Sequence, residues 1–201
     1  MELIQGVGRE QFTHLISYGE ELLKSNPNST VKIKCADSDD GPVFETIYVC
    51  LEACKTVFAM TCRPLIGMDA YFLKGDFGGQ LIGVVGKDGN NKIYPIAYAV
   101  VEAETKDPWK WFLNILLEDL QSIQDKKYGF ISDQQKGLIL AILETNQHVE
   151  HRLCVKHLYG NWRKKYLGIF MKEALWRTTK ATTILAWERV MNHMKELNVN
   201  A

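Results

Sequence analysis

The hydrophobic pattern of this chain begins with a helical period and then changes to a strand period. Phe12, Leu15, Ile16, Leu22 and Leu23 suit one face of an amphipathic helix over 11–23, and Asn26-Pro27-Asn28 stops it. Residues 30–34 alternate like a half-buried strand, 36–42 form a turn, and 43–49 resume strand character. A short helix is predicted over 51–60. From Arg63 the pattern changes. An apolar strand over 65–70 carries Asp69 at its end, followed by strands at 80–85 and 93–101, with a strong turn signal at Lys87-Asp88-Gly89-Asn90-Asn91. These three strands read as an antiparallel meander. Asp107-Pro108-Trp109 then opens a helix, with Asp107 as N-cap and Pro108 at the first helical position. Its apolar face comprises Trp109, Phe112, Leu113, Leu116, Leu117 and Leu120. A short buried strand at 128–132, a helix at 136–144 and a last strand at 149–153 follow, and the chain is helical beyond His157.

From Arg63 the order is therefore β-β-β-α-β-α-β, then helices. Three antiparallel strands feeding helix-connected parallel strands are the order of a ribonuclease-H-like mixed sheet flanked by helices, an α/β fold. Two domains are expected: a small α+β unit over 1–60 and a ribonuclease-H-like domain over 61–201 with a helical C-terminal part.

Composition narrows the function. Lys+Arg and Asp+Glu are both 24, so the formal net charge is zero. A stand-alone DNA clamp draws its affinity from neutralising phosphates and is usually basic, so the balance argues against one. It leaves room for an enzyme whose acidic metal site offsets a basic channel. No window approaches the ~18–20 apolar residues that span a bilayer, and Met1-Glu2-Leu3-Ile4-Gln5 lacks a secretory start. The five cysteines, Cys35, Cys50, Cys54, Cys62 and Cys154, are an odd set and read as reduced intracellular thiols.

Two acids stand out by position. Asp69 closes the first strand of the meander and Asp133 closes the fourth strand of the series. Active groups of open α/β sheets gather beyond the carboxyl ends of strands, and in this topology those two strands are parallel neighbours. Paired carboxylates need a divalent cation or a shared proton to coexist. Hard oxygen ligands favour magnesium or manganese, and two such ions about 4 Å apart stabilise both the attacking and leaving oxygens of a phosphodiester. The competing reading of each Asp is a turn residue or helix N-cap.

Four ordered motifs carry a resemblance. Gly67-Met68-Asp69-Ala70, Pro95-Ile96-Ala97-Tyr98-Ala99, Ser132-Asp133-Gln134-Gln135-Lys136-Gly137 and Cys154-Val155-Lys156-His157, with their flanks, resemble plant Mutator-like element (MULE) transposases from about residue 30 onward. The resemblance implies a DDE-type nuclease and strand transferase on a ribonuclease-H-like fold, working in the nucleus. Its partners are transposon terminal repeats and target DNA, usually with the enzyme as a multimer on paired ends. It maps the first two acids onto Asp69 and Asp133, the Cys-x-x-His element onto Cys154 and His157, and the third acid onto Glu188, with Glu173 as runner-up; Asp69, Asp133 and Glu188 would hold Mg2+ or Mn2+. Zinc-binding regions usual before and after this domain are not visible in the sequence, so the chain reads as a truncated or domesticated copy. The rival function is a transposase-derived, non-catalytic DNA-binding or regulatory protein. A general nuclease on RNA–DNA hybrids rests on fold analogy alone.

Other features weigh less. A structural zinc site needs four protein ligands; His148 and His151 extend the rhythm of Cys154 and His157, but a strand-to-helix break divides them, so zinc is not expected. His157 instead supports the active site or opens the next helix. Trp162-Arg163-Lys164-Lys165 combines an aromatic with cations, which suits DNA contact, against a solvated helix face with Trp162 or Tyr166 turned inward. Asp37, Asp39 and Asp40 read as a solvated turn. Gly75, Gly78 and Gly79 lack the Gly-Lys-Ser/Thr ending of a phosphate loop.

Overall fold

A computed structural model describes residues 10–39, 41–74, 78–121, 123, 127–145 and 149–198. Met1 to Gln5, Asp40, Gly75 and His148, discussed above, lie outside these residues. Two compact units are present, Met1–Arg152 and Leu153–Ala201.

The first unit is built on one sheet. The helix expected over 11–23 is two pieces, α1 (Glu10–Thr13) and α2 (Leu15–Ser25), because the His14 backbone, at φ −96° and ψ 1°, leaves the helical range. β1 (Thr30–Ala36) and β2 (Val43–Cys50) form the expected hairpin, and α3 (Glu52–Thr61) follows. The meander is β3 (Leu65–Phe72), β4 (Gln80–Lys87) and β5 (Ile93–Val101). Next come α4 (Lys106–Gln121), β6 (Gly129–Ser132), α5 (Lys136–Thr145) and β7 (Glu150–Leu153). The seven strands lie in the order β1-β2-β5-β4-β3-β6-β7. β3 pairs antiparallel with β4 and parallel with β6, so the sheet is mixed and ribonuclease-H-like, as the element order predicts. The hairpin over 30–50 is part of this sheet, because β2 pairs with β5; the expected boundary near residue 60 runs through the unit.

Periodicity explains the core. Alternate residues Ile66 and Met68 of β3 and Ile82 and Val84 of β4 are buried, as strands with one face on the core require. In β5 the alternation slips: Val84 faces Ala97 but Val85 faces Pro95, so Ile96 is a bulge residue and both Ile96 and Ala97 are buried. Proline has no amide for a ladder and is at home at such a bulge. Trp109, Phe112, Leu113, Leu116 and Leu120 of α4 close over these strands and are fully buried. Each such side chain contributes roughly 1.5–3 kcal/mol of transfer free energy. α4 starts at Lys106, one residue before Asp107. Asp107 therefore lies in the first turn, where its charge favours the positive end of the helix, rather than at the N-cap.

A buried polar cluster joins the hairpin, α3 and α4. Asp119 accepts hydrogen bonds from Thr30 Oγ1 (2.5 Å), Tyr48 Oη (2.8 Å) and Lys55 Nζ (3.2 Å). The side chains of Lys55 and Asp119 are only 7% and 8% exposed. Burial works to lower the Lys55 pKa, but Asp119 and Glu52 outweigh it and the net direction is up, so the ammonium stays charged. Among the described residues no helix is long and apolar enough to cross a membrane, and the five cysteines are free.

The second unit comprises α6 (Val155–Trp162), α7 (Ile169–Lys180) and α8 (Ile184–Leu197). Met171, Ala174, Leu175 and Met194 form its small core, with Tyr159, Trp162 and Tyr166 packed against them.

Removing the Asp119 carboxylate leaves the Lys55 ammonium buried, which costs about 3–5 kcal/mol for such pairs. Asp119→Ala is therefore expected to lower the unfolding free energy by about that much in urea titration; a loss below about 1 kcal/mol would show that the cluster does not fasten the hairpin to α4.

Candidate active site

Asp69 and Asp133 are brought level by strand register. In the parallel ladder Leu65 faces Gly129, Ile66 faces Phe130 and Gly67 faces Ile131, each an offset of 64. Asp69 and Asp133 differ by the same 64 and lie just past the last of these pairs. Asp133 follows β6 directly, as expected. Asp69 does not close its strand, because β4 continues alongside it and β3 runs on to Phe72. It is at the end of the parallel ladder but inside the antiparallel one, where its partner is Gly83.

Alternation turns the Asp69 side chain to the face opposite the buried Met68. Its neighbours on that face, Gly67 and its cross-strand partner Gly83, have no side chains, so the carboxylate stands over open sheet. One carboxylate oxygen accepts from the Ala70 amide at 3.0 Å. The Tyr71 hydroxyl, two residues further on the same face, donates to Asp69; burial first, then the charge and hydrogen bond of Asp69, raise that phenol above its usual range.

Asp133 is held by its own turn. Its Oδ1 accepts from the Gln135 amide at 3.0 Å. The buried Ser132 Oγ donates to the Asp133 carbonyl at 2.9 Å and lies 2.8 Å from His151 Nε2. With its one proton given to that carbonyl, the Ser132 oxygen accepts from Nε2–H, which fixes the imidazole tautomer. Burial lowers the His151 pKa, consistent with a neutral ring.

A third acid, missed in the sequence, stands with the pair. Glu104 lies between β5 and α4 and is half-buried. Burial raises its carboxyl pKa, the Trp109 hydrogen bond pulls it back, and the charges of Asp133 and Asp69 raise it again. It is thus within electrostatic reach of both. Its backbone carbonyl accepts from Gln135 Nε2 at 2.6 Å, and its Oε1 accepts from Trp109 Nε1 at 3.2 Å. Gly137 permits this approach: a Cβ there would sit 2.9 Å from the Lys106 amide nitrogen and 3.0 Å from the Thr105 carbonyl carbon. Those are backbone atoms that cannot swing aside, so the few tenths to 1 kcal/mol that alanine normally gains in a helix would be overridden. The only sequence signal was an acid placed between a strand end and a Pro-Trp helix start.

The remaining expected residues are in the second unit. Cys154 is the N-cap residue of α6, without a side-chain capping bond, and His157 lies in the first turn of α6. Glu173 is exposed on α7 and Glu188 is exposed on α8. The Trp162 ring packs with Tyr166, at 5.1 Å between centroids, against the small core, which leaves Arg163, Lys164 and Lys165 exposed. Arg163 also lies over the Tyr159 ring at 5.9 Å. Among the described residues, no three His, Cys, Asp or Glu side chains form a ready metal cage.

Residues 65–161 match the family described as MULE transposase domain. This segment is a MULE transposase domain. The match starts with the first residue of β3 and takes in Asp69, Glu104, Asp133, Cys154 and His157. It ends before Trp162, Glu173 and Glu188. No curated protein matches the chain. The MULE domain makes the function transposase-related and implies DNA as a binding partner.

The raised Glu104 pKa has a measurable consequence. Below the ordinary glutamate value, about 4.3, the side chain is protonated folded and unfolded, and no penalty arises. Above its raised folded value the ionised form is disfavoured in the fold, so wild type is the less stable there. Glu104→Gln keeps an acceptor for Trp109 and removes the charge. In metal-free buffer its Tm is expected to exceed that of wild type at pH 7, with the gap closing toward pH 4. A gap that is absent, or that widens in acid, would contradict the assignment.

Proposed function

We propose that this chain is a DDE-type transposase domain that cleaves DNA phosphodiesters and transfers the freed 3′ end to target DNA, with Asp69 and Asp133 as its metal-holding acids. The observation that carries the reading is the shared strand offset of Asp69 and Asp133 inside a MULE transposase domain. Two carboxylates just past the end of the parallel β3–β6 ladder, one over open glycine backbone, offer the hard oxygen donors that Mg2+ or Mn2+ prefers. Such ions keep several waters and take one or two carboxylates rather than a closed protein cage, which suits a pair without a ready three-ligand shell. When bound, the cation would supply charge neutralisation for the attacking and leaving oxygens.

The protein's own part is positioning. Asp69 is fixed by the Ala70 amide and the Tyr71 hydroxyl, and Asp133 by the Gln135 amide. Both carboxylates are thus held before substrate arrives, and preorganised charge needs no rearrangement at the moment of reaction. The exposed Arg163, Lys164 and Lys165 are suited to the phosphate backbone; Trp162 is less suited to base stacking, since its ring is used in packing.

Purified full-length protein is expected to nick supercoiled plasmid DNA in Mn2+ or Mg2+ but not in EDTA. Asp69→Asn and Asp133→Asn should each reduce the rate at least a hundredfold, on the order of a lost transition-state stabiliser. Plasmid binding without nicking by wild type, unchanged in both variants, would instead identify a non-catalytic DNA-binding descendant of a transposase.

A further inference from the structure

We propose that Glu104 is a third, outer acid of the Asp69–Asp133 site, held there by Gln135, and that it supports a divalent cation through the ion's retained waters. This rests on the reading of the acid pair given above and adds a residue to it.

The path of the chain is the first argument. β5 lies two places from β3 and three from β6 in the sheet, so strand order does not oblige the residues after β5 to approach Asp133. They approach it because one residue serves both acids. The Gln135 amide donates to Asp133 Oδ1 while its side-chain Nε2 donates to the Glu104 carbonyl. The same side chain's Oε1 accepts from the Leu138 amide, so Gln135 also satisfies the start of α5. Gly137, two residues on, leaves the space through which the Thr105–Lys106 backbone passes. A larger residue at 137, or a shorter one at 135, would release the Glu104 segment from Asp133.

The second argument is the side chain. The Trp109 indole is fully buried, and its N–H is used on Glu104 Oε1. A buried indole N–H needs a partner, so this bond fixes the carboxyl while occupying only one of its oxygens. Among the described residues no lysine or arginine forms an ion pair with Glu104. The buried carboxylate elsewhere in this unit, Asp119, has Lys55. A half-buried acid placed beside two further acids, with no cationic side chain, is unfavourable for the fold alone and is balanced when a cation binds. Local rules broken in this way mark functional positions. The absence of a ready three-ligand cage limits Glu104 to an outer role, of the kind in which groups behind the direct ligands change metal affinity by about 10–100-fold.

The test is calorimetric titration of Mn2+ into the full-length protein, with no DNA and no turnover. Glu104→Gln keeps the Trp109 bond and deletes the charge; it should weaken Mn2+ binding about tenfold. Glu104→Asp keeps the charge and should stay closer to wild type, which a purely structural role would not produce. Glu118→Gln, which removes an exposed acid of α4, should bind as wild type does. Mn2+ affinity unchanged by Glu104→Gln, or lost equally in Glu104→Gln and Glu104→Asp, overturns the proposal. If the double variant Asp69→Asn/Asp133→Asn binds Mn2+ as wild type does, the acid pair itself fails and Glu104 falls with it. Normal loss in that double variant with no effect of Glu104→Gln would sink only the present inference.

Discussion

The parallel pairing of β3 with β6 is the constraint on which the site depends. A shift of one residue in that pairing would send one of the two aspartates to the other face of the sheet, because strand side chains alternate. The register is fixed from below by apolar burial: Ile66 and Phe130 are neighbours in the ladder and both are buried in the main core. Hydrophobic side chains in the sheet thus decide where carboxylates stand several ångströms beyond them. The core and the acid site are two ends of the same pair of strands.

The rest of the first unit serves that arrangement in distinct ways. α4 supplies most of the apolar cover and, through Trp109, the donor that holds Glu104. The N-terminal hairpin extends the sheet beyond β5 and is fastened by the Lys55–Asp119 pair with Tyr48 and Thr30. The two buried acid environments contrast. Asp119 is compensated by the Lys55 cation and two hydroxyl donors, so it contributes to folding. Glu104 has one indole donor and two negative neighbours, and its burial and their charges disfavour its ionised form in the fold. Proteins commonly accept such a cost at sites that must bind charge.

Much of the fold was legible in the sequence. Long strands with alternating or continuous apolar runs, such as 65–70 and 93–101, and the Trp109–Leu120 face of α4 declare their period directly. The break at His14 and the two-residue advance of α4 were not legible, since helix ends depend on local geometry that periodicity does not encode. Asp69 and Asp133 were legible because their positions follow from strand order. Glu104 was not: its approach to Asp133 depends on a glutamine side chain, a missing Cβ at Gly137 and an indole N–H, none of which leaves a periodic trace. Glu188, the expected third acid, is an exposed residue on a helix of the second unit, outside the matched segment. The aromatic–cation run at 162–165 takes the alternative form read from the sequence, with the Trp162 ring turned against a core and the cations left in solvent.

The most direct test of the central claim is crystallographic. Crystals of the full chain soaked in Mn2+ and measured at the manganese edge would locate the ion by anomalous scattering. The account predicts a peak flanked by the Asp69 and Asp133 carboxylates, with Glu104 behind them. Well-ordered carboxylates with no peak between them, or a manganese bound only elsewhere on the protein, would contradict it.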